Sequence, residues 1–401
     1  MKLLHFHSLR SPNLQLYFFG QGLSLIGTWM TSIAASWLIY RLSGSEFFLG
    51  LATFCSQFPS AVLSPFAGVF VDHWDKRRVL IVTQTLSLIQ SATLAYLTIS
   101  NTVTIEDILA LSIFQALVNA FDMPARQSLV AELVEDRNDL PNAIGLSSAM
   151  FHGSRLIGPA IAGFVIAGFG EGVCFAIDAV SYIAVIASLI FIASHNSRRA
   201  IRTHTWRREL VEGVQYVAKH PSIGPVIVLV AVFALFGTSF ITLLPVFAHE
   251  VFNGGPKLFG YLASASGLGA LIGALHLAAR PHSEKSEQFV SKMRILLAVA
   301  SMLFALSPNS IVAGIALIVL GYAMVSVFAG SNTLLQMVVE DGKRARVMSI
   351  YAAAFFGLMP LGGLIAGSAA TYVGAPATVF IGGVICLVVG KSNRVKLFRS
   401  T

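Results

Sequence analysis

Between residues 68 and 78 the chain reads Gly68-Val-Phe-Val-Asp72-His-Trp-Asp75-Lys76-Arg77-Arg78, and this stretch decides the fold. One long apolar segment, 47–71, leads into it, and another, 79–99, leads out of it. A short charged loop between two such segments lies at a membrane surface, because charge is costly inside lipid. Its consecutive cations predict the cytoplasmic side, where loops are enriched in Lys and Arg.

Composition supports a membrane protein. Of 401 residues, 55% are hydrophobic and 11% are charged, against about 25% charged in soluble domains. The net charge of +8 comes mostly from cations in loops on one predicted side, so it indicates topology rather than a nucleic-acid partner. The cysteines, Cys55, Cys174 and Cys386, each lie in an apolar run and have no disulfide or metal-binding spacing. We expect no metal and no cofactor.

Apolar runs of about twenty residues, the length that crosses a bilayer, recur along the chain. They predict twelve transmembrane helices, at roughly 15–40, 46–71, 79–99, 104–122, 143–168, 172–193, 222–248, 257–279, 293–307, 310–338, 345–370 and 374–390. An even number of helices places both termini on one side. Both termini carry cations, for example Arg10 and Lys391, so we expect both in the cytoplasm.

One connection is longer than the others and divides the chain. We predict an amino-terminal six-helix bundle at 1–193, a cytoplasmic linker at 194–221 and a carboxyl-terminal six-helix bundle at 222–401. Within the linker, apolar residues of 206–219 recur at helical spacing, which predicts an amphipathic helix lying at the inner surface. A flexible linker is the alternative.

The two halves repeat each other. Glycines of predicted helix five recur in helix eleven at an offset of 204; they are Gly153, Gly158 and Gly163, followed by Gly357, Gly362 and Gly367. Gly27-Thr28 of helix one likewise recurs as Gly237-Thr238 of helix seven. Parallel six-helix repeats are typical of transporters. We therefore predict an all-α membrane protein made of two pseudo-symmetric six-helix bundles.

The opening stretch resembles the loop signature of the major facilitator superfamily, G-x-L-A-D-R-x-G-R-K-R. Its matches in place or in kind are Gly68, Asp72, Lys76, Arg77 and Arg78, while His73 and Asp75 stand where the signature has Arg and Gly. Two further stretches, Asp122-Met-Pro-Ala-Arg126 and Arg155-Leu-Ile-Gly-Pro-Ala-Ile-Ala-Gly163, are similar to the branch that includes the enterobactin exporter and macrolide-efflux-like proteins.

This resemblance implies the major facilitator fold in a bacterial inner membrane. It also implies secondary active export by alternating access, with a small amphiphilic siderophore-like or drug-like molecule leaving as protons enter. We expect a monomer. Two other functions stay open, which are import of a metabolite and a role as a non-transporting membrane receptor or scaffold.

Charged residues near the opening stretch are candidates for an inner gate. Pro124 is predicted to end helix four, which places Asp122 and Arg126 at the inner surface near Gly68. Asp72, Lys76, Arg77 and Asp122 are then expected to form one charge network. Asp72 is also expected to face the start of helix eleven near 346–349 and so to favour an outward-open state. The alternative is static ion pairing that only sets topology.

Helix five carries Gly153, Gly158, Pro159 and Gly163, which resemble the antiporter signature G-x-x-x-G-P-x-x-G-G with altered spacing. Small residues allow helices to approach closely, and the proline removes one backbone hydrogen bond and bends the helix. Close packing without a transport role is the alternative.

Arg155 is the only cation, and Asp178 the only acid, that we place well inside the membrane. They lie about 18 Å and about 22 Å from the inner ends of helices five and six. Intramembrane charges point to a transport pathway, and pairing would reduce their burial cost. In the resembled fold, however, helix six is peripheral, so Asp178 could instead face packing or lipid headgroups. Aromatic residues including Trp29 and Phe151 are candidates to line a cavity.

The sequence shows no chemistry of an enzyme. It contains no G-x-x-x-x-G-K-[ST] phosphate-binding loop, no metal-ligand cluster and no arrangement of a nucleophile with a base. We therefore expect a protein that moves a small molecule across the bilayer without an ATPase of its own.

Overall fold

The structure, a computed structural model, describes residues 11–134, 136–192, 215–218, 220, 223–280 and 285–392. All regular secondary structure in these ranges is helical. Eleven of the described helices are long and apolar enough to cross a membrane, and Ala375–Lys391 is a shorter apolar helix. The predicted all-α membrane architecture is confirmed.

Apart from the end of the fourth helix, the helices of the first half begin and end within a few residues of the predicted positions. They are α1 (Pro12–Ser43), α2 (Glu46–His73), α3 (Lys76–Ile99), α4 (Ile105–Leu133), α5 (Leu140–Phe169) and α6 (Glu171–Phe191). The turn between α2 and α3 has a local cause. The Asp75 carboxylate accepts a hydrogen bond of 2.8 Å from the backbone N–H of Arg78 and so caps α3.

The second half contains five further spans and the shorter helix α12. They are α7 (Ile223–Val251), α8 (Pro256–Ala279), α9 (Lys285–Ala305), α10 (Ser310–Val338), α11 (Asp341–Ala352, Ala353–Gly357 and Leu358–Val373) and α12 (Ala375–Ser392). Two of these spans are irregular. α7 is interrupted between Phe236 and Ser239, and both α7 and α11 contain one π-helical turn.

The prediction that helix four ends before Pro124 is wrong, because α4 continues through Pro124 to Leu133. A membrane helix tolerates an internal proline when neighbouring groups satisfy the freed carbonyl. Asp122 therefore lies eleven residues inside the helix and is 5% exposed, rather than at the inner surface. Asp178 is consequently not the only acid inside a membrane helix.

The prediction that Arg155 is the only cation inside the membrane is also wrong. The ninth span begins at Lys285 rather than near 293, so Arg294 lies within α9 and is 1% exposed. The polar first turn of α9 hides this start from a search for apolar runs. The long apolar stem of an arginine also lets it lie among hydrophobic side chains.

The described chain forms two compact units. The first comprises residues up to Ser43 together with Cys55–Ala200, and the second comprises Gly44–Phe54 together with Ile201–Thr401. In the first unit α1 packs against α5 and α6, and α3 packs against α4 and α6. In the second unit α7 packs against α11 and α12, and α9 packs against α10 and α12. The same pairings thus recur in both units, as the internal repeat predicts.

Two pairs of matching glycines have similar surroundings, which supports the repeat in atomic detail. Gly170 and Gly374, at the offset of 204, each have φ of 82° and join corresponding helices. A side chain on Gly158 would meet Trp29 and the Ile26 carbonyl of α1. A side chain on Gly362 would meet the Leu235 carbonyl of α7. These two glycines permit the close approach of α5 to α1 and of α11 to α7.

Two predictions fall mainly on residues outside the described ranges. Most of the 194–221 linker, including most of its predicted amphipathic helix, is not described, and neither are the terminal residues 1–10 and 393–401.

Candidate substrate and proton site

An arginine and two aromatic residues form a patch on α1 and α5. The guanidinium of Arg155 lies 5.6 Å from the ring centroid of Trp29, a cation–π distance. Trp29 packs edge-on against Phe151, with ring centroids 5.7 Å apart. Arg155 and Trp29 are half-buried and Phe151 is exposed. The patch therefore presents positive charge beside apolar surface at membrane depth.

His152 extends this patch. Its ring lies 5.5 Å from that of Phe151 in an edge-on contact, and it feels the charge of Arg155. Its Nδ1 atom is buried and has no hydrogen-bond partner among the residues that the structure describes. A buried nitrogen of this kind is available to a ligand or to water. We refer to Trp29, Phe151, His152 and Arg155 as the α1–α5 patch.

Asp178 is 2% exposed in α6, where three hydroxyl groups surround it. Thr31 of α1 donates to its Oδ2 atom at 2.8 Å, and Ser91 of α3 donates to the same atom at 3.2 Å. Ser181 lies 3.5 Å from Oδ1. The close approach of α1 to Asp178 depends on Gly27, since a Cβ atom on residue 27 would lie 2.7 Å from Oδ1 of Asp178. Asp178 therefore ties three helices together through hydrogen bonds alone.

Arg155 and Asp178 do not form an ion pair in the described structure. Arg155 stacks on Trp29, whereas Asp178 accepts hydrogen bonds from α1 and α3. The two charges are thus in separate environments, one half-buried and one fully buried.

Asp122 is the centre of a second polar cluster, between α3 and α4. Its Oδ1 atom accepts hydrogen bonds from Thr83 at 2.8 Å and from Gln84 at 2.7 Å. Its Oδ2 atom accepts from both Nε, at 3.0 Å, and Nη2 of Arg126, one helical turn later. Buried Tyr17 of α1 feels both charges of this pair. The structure brings Asp122 and Arg126 together, but as an interior cluster.

The remaining residues of the expected inner network lie apart from Asp122. Lys76 donates to the backbone carbonyl of Asp72 at 2.9 Å. Arg77 donates to the carbonyls of Leu189 and Ile190, each at 2.5 Å, and so caps the carboxyl end of α6. The exposed carboxylate of Asp72 has no partner within the described ranges. Asp72, Lys76, Arg77 and Asp122 are therefore not joined in one network.

The opening glycine and the helix-five motif have distinct surroundings. A Cβ atom on Gly68 would lie 3.9 Å from Pro124 of α4, which is ordinary contact. Gly158, Pro159 and Gly163 are buried, and Gly158 sits directly against α1. A Cβ atom on Gly153, by contrast, would have no described atom of another helix within 4 Å. Close packing thus depends on Gly158 rather than Gly153.

Sequence reasoning missed the hydroxyl partners of Asp178 and the amide partner of Asp122. On α3 these partners are Thr83, Gln84 and Ser91. Together with Ser87, which accepts a hydrogen bond from Gln115, they recur at intervals of one, three and four. This spacing places them close together on one side of a helix. This polar stripe inside the otherwise apolar segment of α3 is visible in the sequence. It indicates a helix face that is turned toward the interior of the protein.

The fold and its repeat define a membrane transporter with the major facilitator fold. A solved structure of a POT family transporter in complex with 5-aminolevulinic acid has the same fold, with a TM-score of 0.76. The match covers 94% of this chain and 94% of that chain at 11% identity. At this identity the likeness concerns the fold alone.

A family model described as transmembrane secretion effector matches residues 5–399, and the chain belongs to this family of non-enzymatic, multi-pass transporters. It is 27% identical over 382 residues to the staphyloferrin A transporter of Staphylococcus aureus, covering 92% of this chain and 94% of that protein. It is 22% identical over 381 residues to macrolide efflux protein A of Streptococcus pyogenes, covering 92% and 93%. The resemblance to efflux-type major facilitators is confirmed.

Proposed function

We propose that this transporter exports a small amphiphilic molecule across a bacterial inner membrane in exchange for protons, by alternating access. Membership of the secretion effector family supports outward transport. The names of two relatives, a staphyloferrin A transporter and a macrolide efflux protein, support a siderophore-like or drug-like cargo. We further propose that the protein acts as a monomer with both termini in the cytoplasm.

The α1–α5 patch is the observation that carries the proposed substrate class. The Arg155 guanidinium offers hydrogen-bond donors to an anionic or strongly polar group. Trp29 and Phe151 offer aromatic surface to an apolar group at the same place. A molecule with both kinds of group matches this patch better than a purely apolar or a small inorganic solute does.

Asp178 is the proposed carrier of the coupling proton. A buried carboxylate is costly when it is charged and has no cation beside it. Its described partners are hydroxyl groups, which serve either protonation state because a hydroxyl both donates and accepts. Asp178 can therefore bind and release a proton without a large rearrangement of its surroundings.

Asp72 is the member of the inner cluster that we propose as a switch. Lys76, Arg77 and Asp122 are each engaged in other contacts, whereas the Asp72 carboxylate is exposed. It is therefore the group available for a contact that forms in only one state of the transport cycle. Gly68, one helical turn earlier, lies beside Pro124 of α4, where a Cβ atom would make only an ordinary contact of 3.9 Å.

Comparative metabolite profiling tests the proposed direction and cargo. Medium and cytosol are compared between cells with the wild-type protein, cells without it and cells with Arg155→Ala. We expect an amphiphilic compound to accumulate in the cytosol, and to decrease in the medium, in both deficient strains. Membrane protein levels of the variant must equal those of the wild type.

Three outcomes would contradict the proposal. Depletion of a compound from the cytosol of deficient cells would indicate import. Identical profiles in all strains would indicate a receptor or scaffold. Normal export by Arg155→Ala would remove the α1–α5 patch from the substrate pathway.

A further inference from the structure

Three helices of the first unit direct polar side chains into its interior. On α1, α3 and α6 these side chains recur at intervals that place them on one side of each helix. They are Tyr17, Gln21, Ser24, Thr28 and Thr31 of α1, Thr83, Gln84, Ser87 and Ser91 of α3, and Asp178, Ser181, Tyr182 and Ser188 of α6. All of them are buried except Thr31, which is half-buried, and Thr28, which is exposed. Polar groups inside membrane helices are costly, so a concentration of them indicates function.

Two buried carboxylates of this unit, Asp122 and Asp178, stand at opposite ends of the polar region. Asp178 is held at the level of Ser91, and Asp122 at the level of Gln84. These two α3 residues are seven positions apart, which corresponds to about 10 Å along the helix. This distance is too long for direct proton transfer and requires an intermediate group.

Tyr182 is the candidate for this intermediate group. It lies one helical turn after Asp178 in α6 and is buried. Its side chain feels the charges of Asp178, Asp122 and Arg126, and its hydroxyl lies beside that of Thr28. A tyrosine hydroxyl both donates and accepts a hydrogen bond, so it can receive a proton on one side and release one on the other.

Buried amide atoms along the same region lack protein partners among the described residues. The atoms without a partner are Nε2 of Gln21, Oε1 of Gln84 and Oε1 of Gln115. Gln21 lies on α1 between Tyr17 and Thr28, and Gln84 contacts Asp122 directly. Buried polar atoms that lack a protein partner are commonly satisfied by internal water. These atoms therefore mark places where a hydrogen-bonded chain can be completed between Tyr182 and Asp122.

We propose that Asp178, Tyr182 and Asp122 form a proton route through the first unit, with Tyr182 as the relay. The route rests on the proposed proton antiport. The Asp178 carboxyl group gives up its proton toward the Tyr182 hydroxyl oxygen. At the same time the original hydroxyl proton of Tyr182 passes toward the Asp122 carboxylate. Rotation of the hydroxyl then restores Tyr182, so one proton has moved and no electron has.

Arrival of the proton at Asp122 has a structural consequence. Both Nε and Nη2 of Arg126 donate to Oδ2 of Asp122. Protonation removes the negative charge of this ion pair and weakens its hold on Arg126. The route would therefore convert proton movement into a change at the α3–α4 contact.

Infrared spectroscopy of the full-length protein in lipid vesicles tests this route with the proton itself as probe. The carboxylic C=O stretching band of Asp178 is assigned as the band that is lost in Asp178→Asn. Its rate of change after a pH jump is then compared among variants. We expect Tyr182→Phe, which retains the ring, to slow this response by about a hundredfold, and Asp122→Asn to slow it likewise.

Tyr351→Phe is the matched control. Tyr351 is a buried tyrosine of α11 in the second unit, where its hydroxyl donates to the Phe328 carbonyl at 2.8 Å. Loss of its hydroxyl should leave the Asp178 response unchanged. Thermal unfolding of every variant shows whether an effect arises from loss of the fold.

The outcomes separate the route from the antiport. An unchanged response in Tyr182→Phe, or no Asp178 band at any pH at which the protein stays folded, would overturn the route. A response in Tyr182→Phe that is slower than the turnover of export, together with normal export by cells, would retain the route and overturn the antiport, since coupled export cannot outrun its proton.

Discussion

Helices α6 and α12 occupy corresponding places in the two units but carry different chemistry. Both begin after a glycine with φ of 82°. At the repeat offset of 204, Asp178 of α6 corresponds to Gly382 of α12. Where Gly27 of α1 faces the Asp178 carboxylate, Gly237 of α7 faces Leu297 and Cys386. The scaffold is therefore repeated, whereas the buried acid is not.

The buried charges of the two units differ in the same way. Among the described residues, only the first unit contains carboxylates deep within membrane helices, at Asp122 and Asp178. In the second unit the acids whose side chains are described lie near helix ends, and its deeply buried charge is Arg294. The proposed proton chemistry therefore belongs to the first unit, and the substitution Asp178→Asn tests this proposal.

Neutralising Asp178 should have the largest effect. Asp178→Asn retains the shape of the side chain and its hydrogen bonds but cannot carry a proton. We expect export to fall by about a hundredfold, measured as efflux per amount of protein in the membrane. Glu287→Gln, at an acid in the first turn of α9, should export normally. Normal efflux by Asp178→Asn would place proton binding elsewhere.

Filling the matched glycines should destabilise the two units alike. A Cβ atom on Gly158 would lie 2.5 Å from Cβ of Trp29, and one on Gly362 would overlap the Leu235 carbonyl. We expect Gly158→Leu and Gly362→Leu each to lower the free energy of unfolding by about 1–3 kcal/mol. Thermal unfolding of the purified protein measures this loss.

Gly153 and Gly357 provide the controls for these substitutions. Neither has a described atom of another helix within 4 Å of the place that a Cβ atom would take. Leucine at either site should change stability by less than about 0.5 kcal/mol. If Gly153→Leu destabilised the protein as much as Gly158→Leu, the close helix contact would not explain the motif.

Substitution of methionine for each of the two intramembrane arginines should affect export differently. Arg155→Met removes the cation of the α1–α5 patch, and we expect export to fall by about tenfold. Arg294 is fully buried, and its Nε atom has no partner among the described residues. Arg294→Met should therefore retain export and unfold within about 1 kcal/mol of the wild type, or be more stable. If Arg294→Met lost export and Arg155→Met did not, Arg294 rather than Arg155 would belong to the transport pathway.

Arg77 should show the smallest effect, on stability alone. Its guanidinium caps the last carbonyls of α6 at Leu189 and Ile190. We expect Arg77→Ala to lower the free energy of unfolding by about 1 kcal/mol. Arg78→Ala, at an exposed neighbour, should have no such effect. Equal stability of the two variants would show that the cap is dispensable.

The α4 and α9 predictions show where sequence reasoning reached its limit. Pro124 is a reliable helix end in water, but inside a packed membrane unit its missing hydrogen bond is tolerated, so Asp122 came to lie within α4. The polar first turn of α9 hid the start of that helix, so the sequence did not show that Arg294 lies well within it. Helix ends and interior charges depend on neighbouring helices, which a single apolar segment does not specify.

The sequence by itself determined the membrane architecture and its repeat. Long apolar segments can satisfy their backbone in lipid only as helices, and the glycines at the offset of 204 marked equivalent helices in the two halves. Only the tertiary structure decided the partners of each buried charge. Asp178 meets Thr31 and Ser91, and Asp122 meets Gln84, because interior helix faces turn polar groups toward one another when lipid offers them no alternative.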